Sequence, residues 1–242
     1  MNNSYEFRTS CIQQLKFLFD LVLVEFFRNR QQAGRVLAHR LTAYAHKPDV
    51  IVLALPRGGT PVAYEVAKAL HAPLDVLVVR KLGVPGHEEY AMGAIAGGGE
   101  RVLDEGLVRE LGIGAKEVDE VVRNEQYELE RRERAYRGDR PAPDLHGRTA
   151  ILVDDGLATG ATMRVAVRAV RGQAPARVVV AAPVASREAC ALLLGEADDV
   201  VCAETPEPFL GVGRWYLDFS QTSDEEVCHL IEEANHHGAL PA

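Results

Sequence analysis

Asp154 and Asp155 stand side by side at the end of the apolar run Ile151 to Val153, and are followed by Gly156, Leu157, Ala158, Thr159, Gly160, Ala161 and Thr162. Two adjacent carboxylates at the end of a buried strand are costly unless something binds there. Glycines at 156 and 160 let the backbone turn with positive φ and come close to a ligand. The segment "MRVAVRAVR" after the loop reads as a helix. The amides of the loop then converge as the first turn of that helix, whose free N–H groups and positive dipole end form an anion site. Thr159 and Thr162 add hydroxyls on the same side. Carboxylates repel phosphate, so the acids must face another part of the same ligand. Vicinal sugar hydroxyls or a divalent cation fit, and a ribose 5-phosphate satisfies both halves of the site.

The elements that must position this loop are legible from periodicity. "VIVLAL" (50 to 55), "LDVLVV" (74 to 79), "RTAILV" (148 to 153), "ARVVVAAPV" (176 to 184) and "DDVVCAE" (198 to 204) are short, apolar, β-branched runs expected to be buried strands. Helical spacing in "AGRVLAHRLTAYA", in the stretch from Pro61, and between the last three strands predicts crossover helices. Strands apolar on both faces that alternate with helices imply an α/β protein with a doubly wound parallel sheet. In such a sheet ligands bind beyond the carboxyl ends of the strands, where Asp154 and Asp155 lie. The alternation breaks between about residues 82 and 147. Within this insertion "EYAMGAIAGGGERVLD" is compatible with a hairpin turning at Gly97 to Gly99, or with a mobile loop. Residues 115 to 137 predict an amphipathic helix with Val118, Val122, Leu129 and Tyr136 on one stripe. Its arginines (131, 132, 134, 137 and 140) are interleaved with Glu130, Glu133 and Asp139, which marks a solvated, salt-bridged face.

Composition narrows the classes. The 242 residues carry a formal net charge of -8, which disfavours a general nucleic-acid binder. Cys11, Cys190, Cys202 and Cys228 form no C-x-x-C pair and no zinc-ligand pattern, as expected of reduced thiols in a cytoplasmic protein. Residues 12 to 27, "IQQLKFLFDLVLVEFF", are the most apolar stretch, but Lys16, Asp20 and Glu25 interrupt it. A membrane span wants about 20 predominantly apolar residues, so the expectation is a helix packed on the domain or on a partner subunit. The division expected is an N-terminal helical extension, 1–27, and one domain, 28–242.

"ILVDDGLATGATM" resembles the signature of type I phosphoribosyltransferases, enzymes that use 5-phosphoribosyl 1-diphosphate (PRPP). The loop is neither a Walker loop nor a G-x-G-x-x-G dinucleotide turn. The resemblance implies that fold, with a flexible loop or hood in the insertion. It makes Asp154 and Asp155 the ligands of the ribose hydroxyls and Gly156 to Thr162 the 5-phosphate loop. "LPRGGTPVA" occupies the place of the family's pyrophosphate loop, which assigns Arg57, Gly58 and Gly59 to the diphosphate. "VVRKLGVPGHEEYAMG" resembles the segment that supplies an Arg-Lys pair, here Arg80 and Lys81, and a loop closing over the site. "PFLGVGRWYLDFSQ" loosely resembles the acceptor-stacking segment of purine-type members, with Phe209 or Trp215 stacking and Asp218 near the metal.

The activity implied by this resemblance is transfer of a phosphoribosyl group from PRPP to a nitrogenous acceptor with release of pyrophosphate. Mg2+ would be held by Asp154, Asp155 and Asp218, the partners being PRPP and a small-molecule acceptor, with no nucleic acid and no membrane, and a homodimer left open. One departure concerns mechanism: Ala158 stands where hypoxanthine-type enzymes carry an acidic residue. A general base must then come from elsewhere, with Glu88, Glu89 or His87 as candidates. A non-catalytic sensor of PRPP or a nucleotide on the same fold is the rival reading.

Overall fold

A computed structural model describes residues 26–97, 99, 101–138 and 140–238. Its strands are β1 (Val50–Ala54), β2 (Leu74–Val76), β3 (Val79–Val84), β4 (His87–Ala96), β5 (Arg101–Leu103), β6 (Thr149–Val153), β7 (Arg177–Val184) and β8 (Asp199–Glu204). Five of them form a parallel sheet in the order β2-β1-β6-β7-β8, and β3-β4-β5 form a separate antiparallel sheet. The helices are α1 (Arg30–Arg40), α2 (Gly59–Leu70), α3 (Glu105–Glu110), α4 (Ala115–Arg137), α5 (Ala161–Gly172), α6 (Arg187–Leu194) and α7 (Asp224–Gly238).

Every residue of β1 and β6 is buried, which is why these runs are apolar throughout rather than alternating. Successive side chains enter opposite cores. Val50, Val52 and Ala54 of β1 pack with α1 and α2, whereas Ile51 and Leu53 pack with Met163, Ala166, Val167 and Val170 of α5. From β1 the chain winds outward to β2, and from β6 it winds the other way to β7 and β8. The winding therefore reverses between two neighbours paired in register from Val50↔Thr149 to Ala54↔Val153. The loops that leave their carboxyl ends, at 55–58 and 154–160, are therefore neighbours at the edge of the sheet where ligands bind in such folds.

Most of the described residues of the insertion form regular secondary structure. "LDVLVV" is not one strand: β2 ends at Val76, the buried Leu77 and Val78 cross over, and β3 starts the second sheet at Val79. β3 and β4 form a paired hairpin that turns at Pro85 and Gly86, where φ is 77°. The segment expected to be a closing loop is thus a β-hairpin. The expected turn between β4 and β5 includes Gly97 and Gly99. α4 has the predicted bounds and buries Val118, Leu129 and Tyr136. The helix expected at 12 to 27 falls outside the described residues except for Phe26 and Phe27, and Phe27 lies in an extended bridge to Tyr216. Among the described residues no helix is long and apolar enough to cross a membrane. Cys190 and Cys202, on the consecutive elements α6 and β8, bring their sulfurs to 3.2 Å.

The arginines of α4 divide. Arg131 and Arg132 pair with Glu128 on the solvated face, as expected of such a stripe. Arg137 departs from it: its side chain is 9% exposed, its Nε donates to both carboxylate oxygens of Asp75 at 3.1 Å, and its Nη2 donates to the Val76 carbonyl at 2.6 Å. Asp75 on β2 needs this counter-charge, and the bond ties the insertion to the main sheet. Arg137→Ala leaves the largely shielded Asp75 carboxylate with only the Val76 N–H and no counter-charge, so stability should fall by about 3 kcal/mol. Equilibrium urea denaturation checks this, and a change below about 1 kcal/mol would contradict the role given to the pair.

Candidate functional site

The loop after β6 is clamped to the end of β7. Leu157 donates its N–H to the Val184 carbonyl at 2.9 Å, and Ser186 returns its N–H to the Leu157 carbonyl at 2.9 Å. The buried Ser186 side chain caps α6, accepting from Ala189, and its hydroxyl donates to the Ala158 carbonyl at 2.6 Å. Gly156 faces Val212 so closely that a side chain would collide. Gly160 has φ of 74° and immediately precedes α5, as the expected turn requires. The N–H groups of Ala158, Thr159, Gly160, Thr162 and Met163 have no partner among the described residues. Loop carbonyls are tied down while these amides, at the dipole's positive end, remain for a ligand.

Asp154 and Asp155 sit directly before this cradle. Asp154 Oδ1 accepts from the Asp155 N–H at 2.8 Å. Asp155 Oδ2 accepts from Nε and Nη2 of Arg30, each at 2.8 Å. The Asp155 carbonyl accepts from the Tyr216 hydroxyl at 2.6 Å. Arg30 also donates from Nη1 to the Ser220 carbonyl at 2.6 Å and lies 4.0 Å over the Phe219 ring. Burial, and then the neighbouring Asp155 charge, hold the Asp154 carboxyl well above the usual carboxylate range. Burial raises Asp155 as well, with Arg30 opposing the rise. Arg30, Tyr216, Phe219 and Ser220 were not identified from sequence. The available signal for Arg30 was "FRNR", with Asn29 capping α1 by accepting the Gln32 N–H at 2.9 Å, but nothing local distinguishes an arginine in a first turn that points inward.

The R-G-G loop meets the acid loop by direct backbone approach. Leu55 donates to the Val153 carbonyl at 2.9 Å. A Cβ at Gly58 would collide with Asp155 Oδ2, and one at Gly59 would lie 2.7 Å from the Val153 carbonyl oxygen. Both glycines are thus required by packing between the two loops, apart from any ligand. The Pro56–Arg57 peptide is cis. Arg57 is half-buried and near enough to Tyr136 for its charge to oppose the rise in the phenol's pKa, which is driven by burial and by the bond to Asp224.

A cavity of about 520 Å³ opens alongside, lined by Arg80, Lys81, Pro85 and Glu88 of the hairpin, Asn124 and Glu125 of α4, and Thr162 at the start of α5. Thr162 joins it to the loop. Arg80 is paired with Glu125 through Nε and Nη2, each at 2.7 Å. Lys81 is exposed, and so is His87 at the hairpin turn. The side chain of Glu89 lies outside the described residues.

The C-terminal segment is arranged differently from the expectation. Trp215 ends a short 3₁₀ turn, Val212–Trp215, and stacks on Phe26 at 5.8 Å between ring centroids, with its indole N–H buried. Phe209 packs with Phe27 and Tyr216. The aromatic residue that touches the acid pair is Tyr216 instead, through the Asp155 carbonyl, and Phe219 lies against Arg30. Asp218 is exposed, and its carboxylate accepts from the Ser220 N–H at 3.0 Å, which lowers its pKa. Among the described residues no group of three or more His, Cys, Asp or Glu is placed to hold a metal, so Asp154, Asp155 and Asp218 are not gathered into a cage. Mg2+ ordinarily needs only one or two carboxylates when substrate phosphates and water complete its shell. The donor set fits that arrangement through Asp154.

The chain is similar to known proteins of one family. The model of the phosphoribosyl transferase domain matches residues 25–213. Two proteins of Mycobacterium tuberculosis, strains CDC 1551 / Oshkosh and H37Rv, each named "Putative phosphoribosyl transferase", are 48% identical over 212 residues. These cover 88% of this chain but 48% of the relatives, so the chain spans about half the length of the curated relatives it matches. The crystal structure of TT1426 from Thermus thermophilus is 42% identical, with a TM-score of 0.76, over 86% of this chain and 98% of that one.

The acid pair gives stability a pH signature. Because Asp154 and Asp155 bind protons more tightly folded than unfolded, their contribution is greatest below the ordinary carboxylate pKa near 4 and declines as pH rises through their elevated values. Asp154→Asn keeps an oxygen for the Asp155 N–H and removes the buried charge. The variant should gain on the wild type as pH is raised from 4 to 8, by at most about 1.4 kcal/mol per pH unit. Parallel denaturation curves across this range check it, and a pH-independent difference would contradict the elevated carboxyl.

Proposed function

The chain belongs to the phosphoribosyl transferase domain family, and on that premise we propose that it transfers the 5-phosphoribosyl group of PRPP to a nitrogen of a base-like acceptor, releasing pyrophosphate. The observation that supports this most is the juxtaposition of two acids with a run of unpartnered amides on one loop. A phosphate on the amides places the ribose over the carboxylates, where hydroxyls donate to them. The diphosphate then lies toward Gly58, Gly59 and Arg57, whose loop abuts Asp155.

In the reaction the bond from the anomeric carbon to the pyrophosphate oxygen breaks and a bond to the acceptor nitrogen forms. Negative charge grows on the leaving oxygen, and Arg57, Arg80 and Lys81 are the cations near its path. Arg80 must exchange Glu125 for the diphosphate. Mg2+ carried with the diphosphate would add charge neutralisation and orientation. Water has to be excluded while the anomeric carbon is electron-poor, and the β3–β4 hairpin bordering the cavity is the element placed for this. Glu88 lines the same cavity and is the candidate to take the acceptor's proton. Homodimer formation and a cytoplasmic setting belong to this same reading.

PRPP with Mg2+ at about a hundred times Kd should stabilise the fold by roughly 2.7 kcal/mol, raising Tm by about 5–10 °C. Asp154→Asn combined with Asp155→Asn should abolish the shift while the apo protein stays folded. Incubation with PRPP, Mg2+ and a panel of bases should release pyrophosphate with at least one acceptor. A Tm shift without pyrophosphate release from any acceptor would favour a sensor over an enzyme, and no shift at all would overturn the ligand assignment.

A further inference from the structure

Each acid of the pair commits one oxygen inside the protein. Asp154 gives Oδ1 to the Asp155 N–H. Asp155 gives Oδ2 to two donors of Arg30, and Gly58 packs against that same oxygen. One oxygen of each carboxylate therefore remains for a ligand, Asp154 Oδ2 and Asp155 Oδ1. Arg30 itself cannot swing with its partner. Its opposite edge is bound to the Ser220 carbonyl, its face lies on Phe219, and its side chain is 10% exposed. The guanidinium also bears on what Asp155 can hold: a cation on the remaining oxygen would be repelled by the positive charge fixed on the same carboxylate, whereas a neutral hydroxyl donor would not.

We propose that Arg30 is a positioning residue for recognition of the sugar diol. By occupying Asp155 Oδ2 it turns Oδ1 toward one ribose hydroxyl, and the other hydroxyl falls to Asp154. The second acid thereby becomes a hydroxyl acceptor with a fixed direction instead of a metal ligand. This rests on the ribose 5-phosphate reading of the site given above.

The test uses calorimetric titration of the full chain with ribose 5-phosphate and its 2-deoxy and 3-deoxy analogues. Wild-type protein should favour the full sugar over each analogue by about tenfold or more, the scale of a hydrogen bond to a charged acceptor. Arg30→Met should flatten one of the two ratios to within about twofold of unity and leave the other in place. Arg30→Lys should restore part of the lost ratio. A structural prop would instead weaken all three ligands together with both ratios kept, and that result overturns the proposal. Loss of both ratios at once overturns it too. If Arg30→Met does not fold, Arg30→Gln is read by the same two ratios. Failure of the wild type to bind ribose 5-phosphate removes the sugar-phosphate reading and this inference together. Unchanged ratios in the variants remove the inference alone.

Discussion

Two carboxylates on consecutive residues, withdrawn from water at the end of a central strand, are the constraint to which the rest of the molecule answers. Left alone they would repel one another and lose hydration. The fold meets this with contacts from distant parts of the chain: Arg30 on one carboxylate, the Tyr216 hydroxyl on the backbone between the acids and the loop, and Gly58 stripped of a side chain so that Asp155 fits. The compensation is incomplete, since both carboxyls remain raised by burial. A site that is electrostatically unsatisfied by itself is suited to a ligand that brings hydrogen-bond donors to it.

The main sheet and the insertion divide the remaining work. The reversal of winding between β1 and β6 delivers two loops to one crevice, and their relative placement is fixed by register and by glycine packing. The second sheet and α4 build the charged cavity next to it, tied back to the main sheet through Arg137 and Asp75. The acid loop and the charged cavity are thus built by separate pieces of structure that meet at Thr162.

Legibility in the sequence tracks how local each feature is. The parallel sheet, the acid loop and the bounds of α4 depend on periodicity and on neighbouring residues, and they were legible. The break in "LDVLVV" was not, because Leu77 and Val78 are as buried as the strand residues beside them and carry no turn signal. Arg30 and Phe219 were missed for a different reason. Their roles arise from contacts across more than a hundred residues, and an arginine near a helix start usually faces solvent. Trp215 was an attractive stacking residue by type, yet its ring is taken up by Phe26, while the less conspicuous Phe219 lies on the arginine that holds Asp155.

The span of the Arg30 contacts has a consequence for the order in which the protein is made. Arg30 leaves the ribosome 125 residues ahead of Asp155 and 190 ahead of Ser220. The parallel sheet is likewise built from strands distant in sequence, so its closure is slow relative to local helices. A nascent chain that has formed β1 and β6 carries the acid pair with its counter-ion present but unanchored, because Phe219 and Ser220 have yet to emerge. The final arrangement of the acid loop is thus coupled to synthesis of the segment beyond β8, and an incomplete polypeptide that stops there has the acid pair and Arg30 without the Tyr216, Phe219 and Ser220 contacts that fix them.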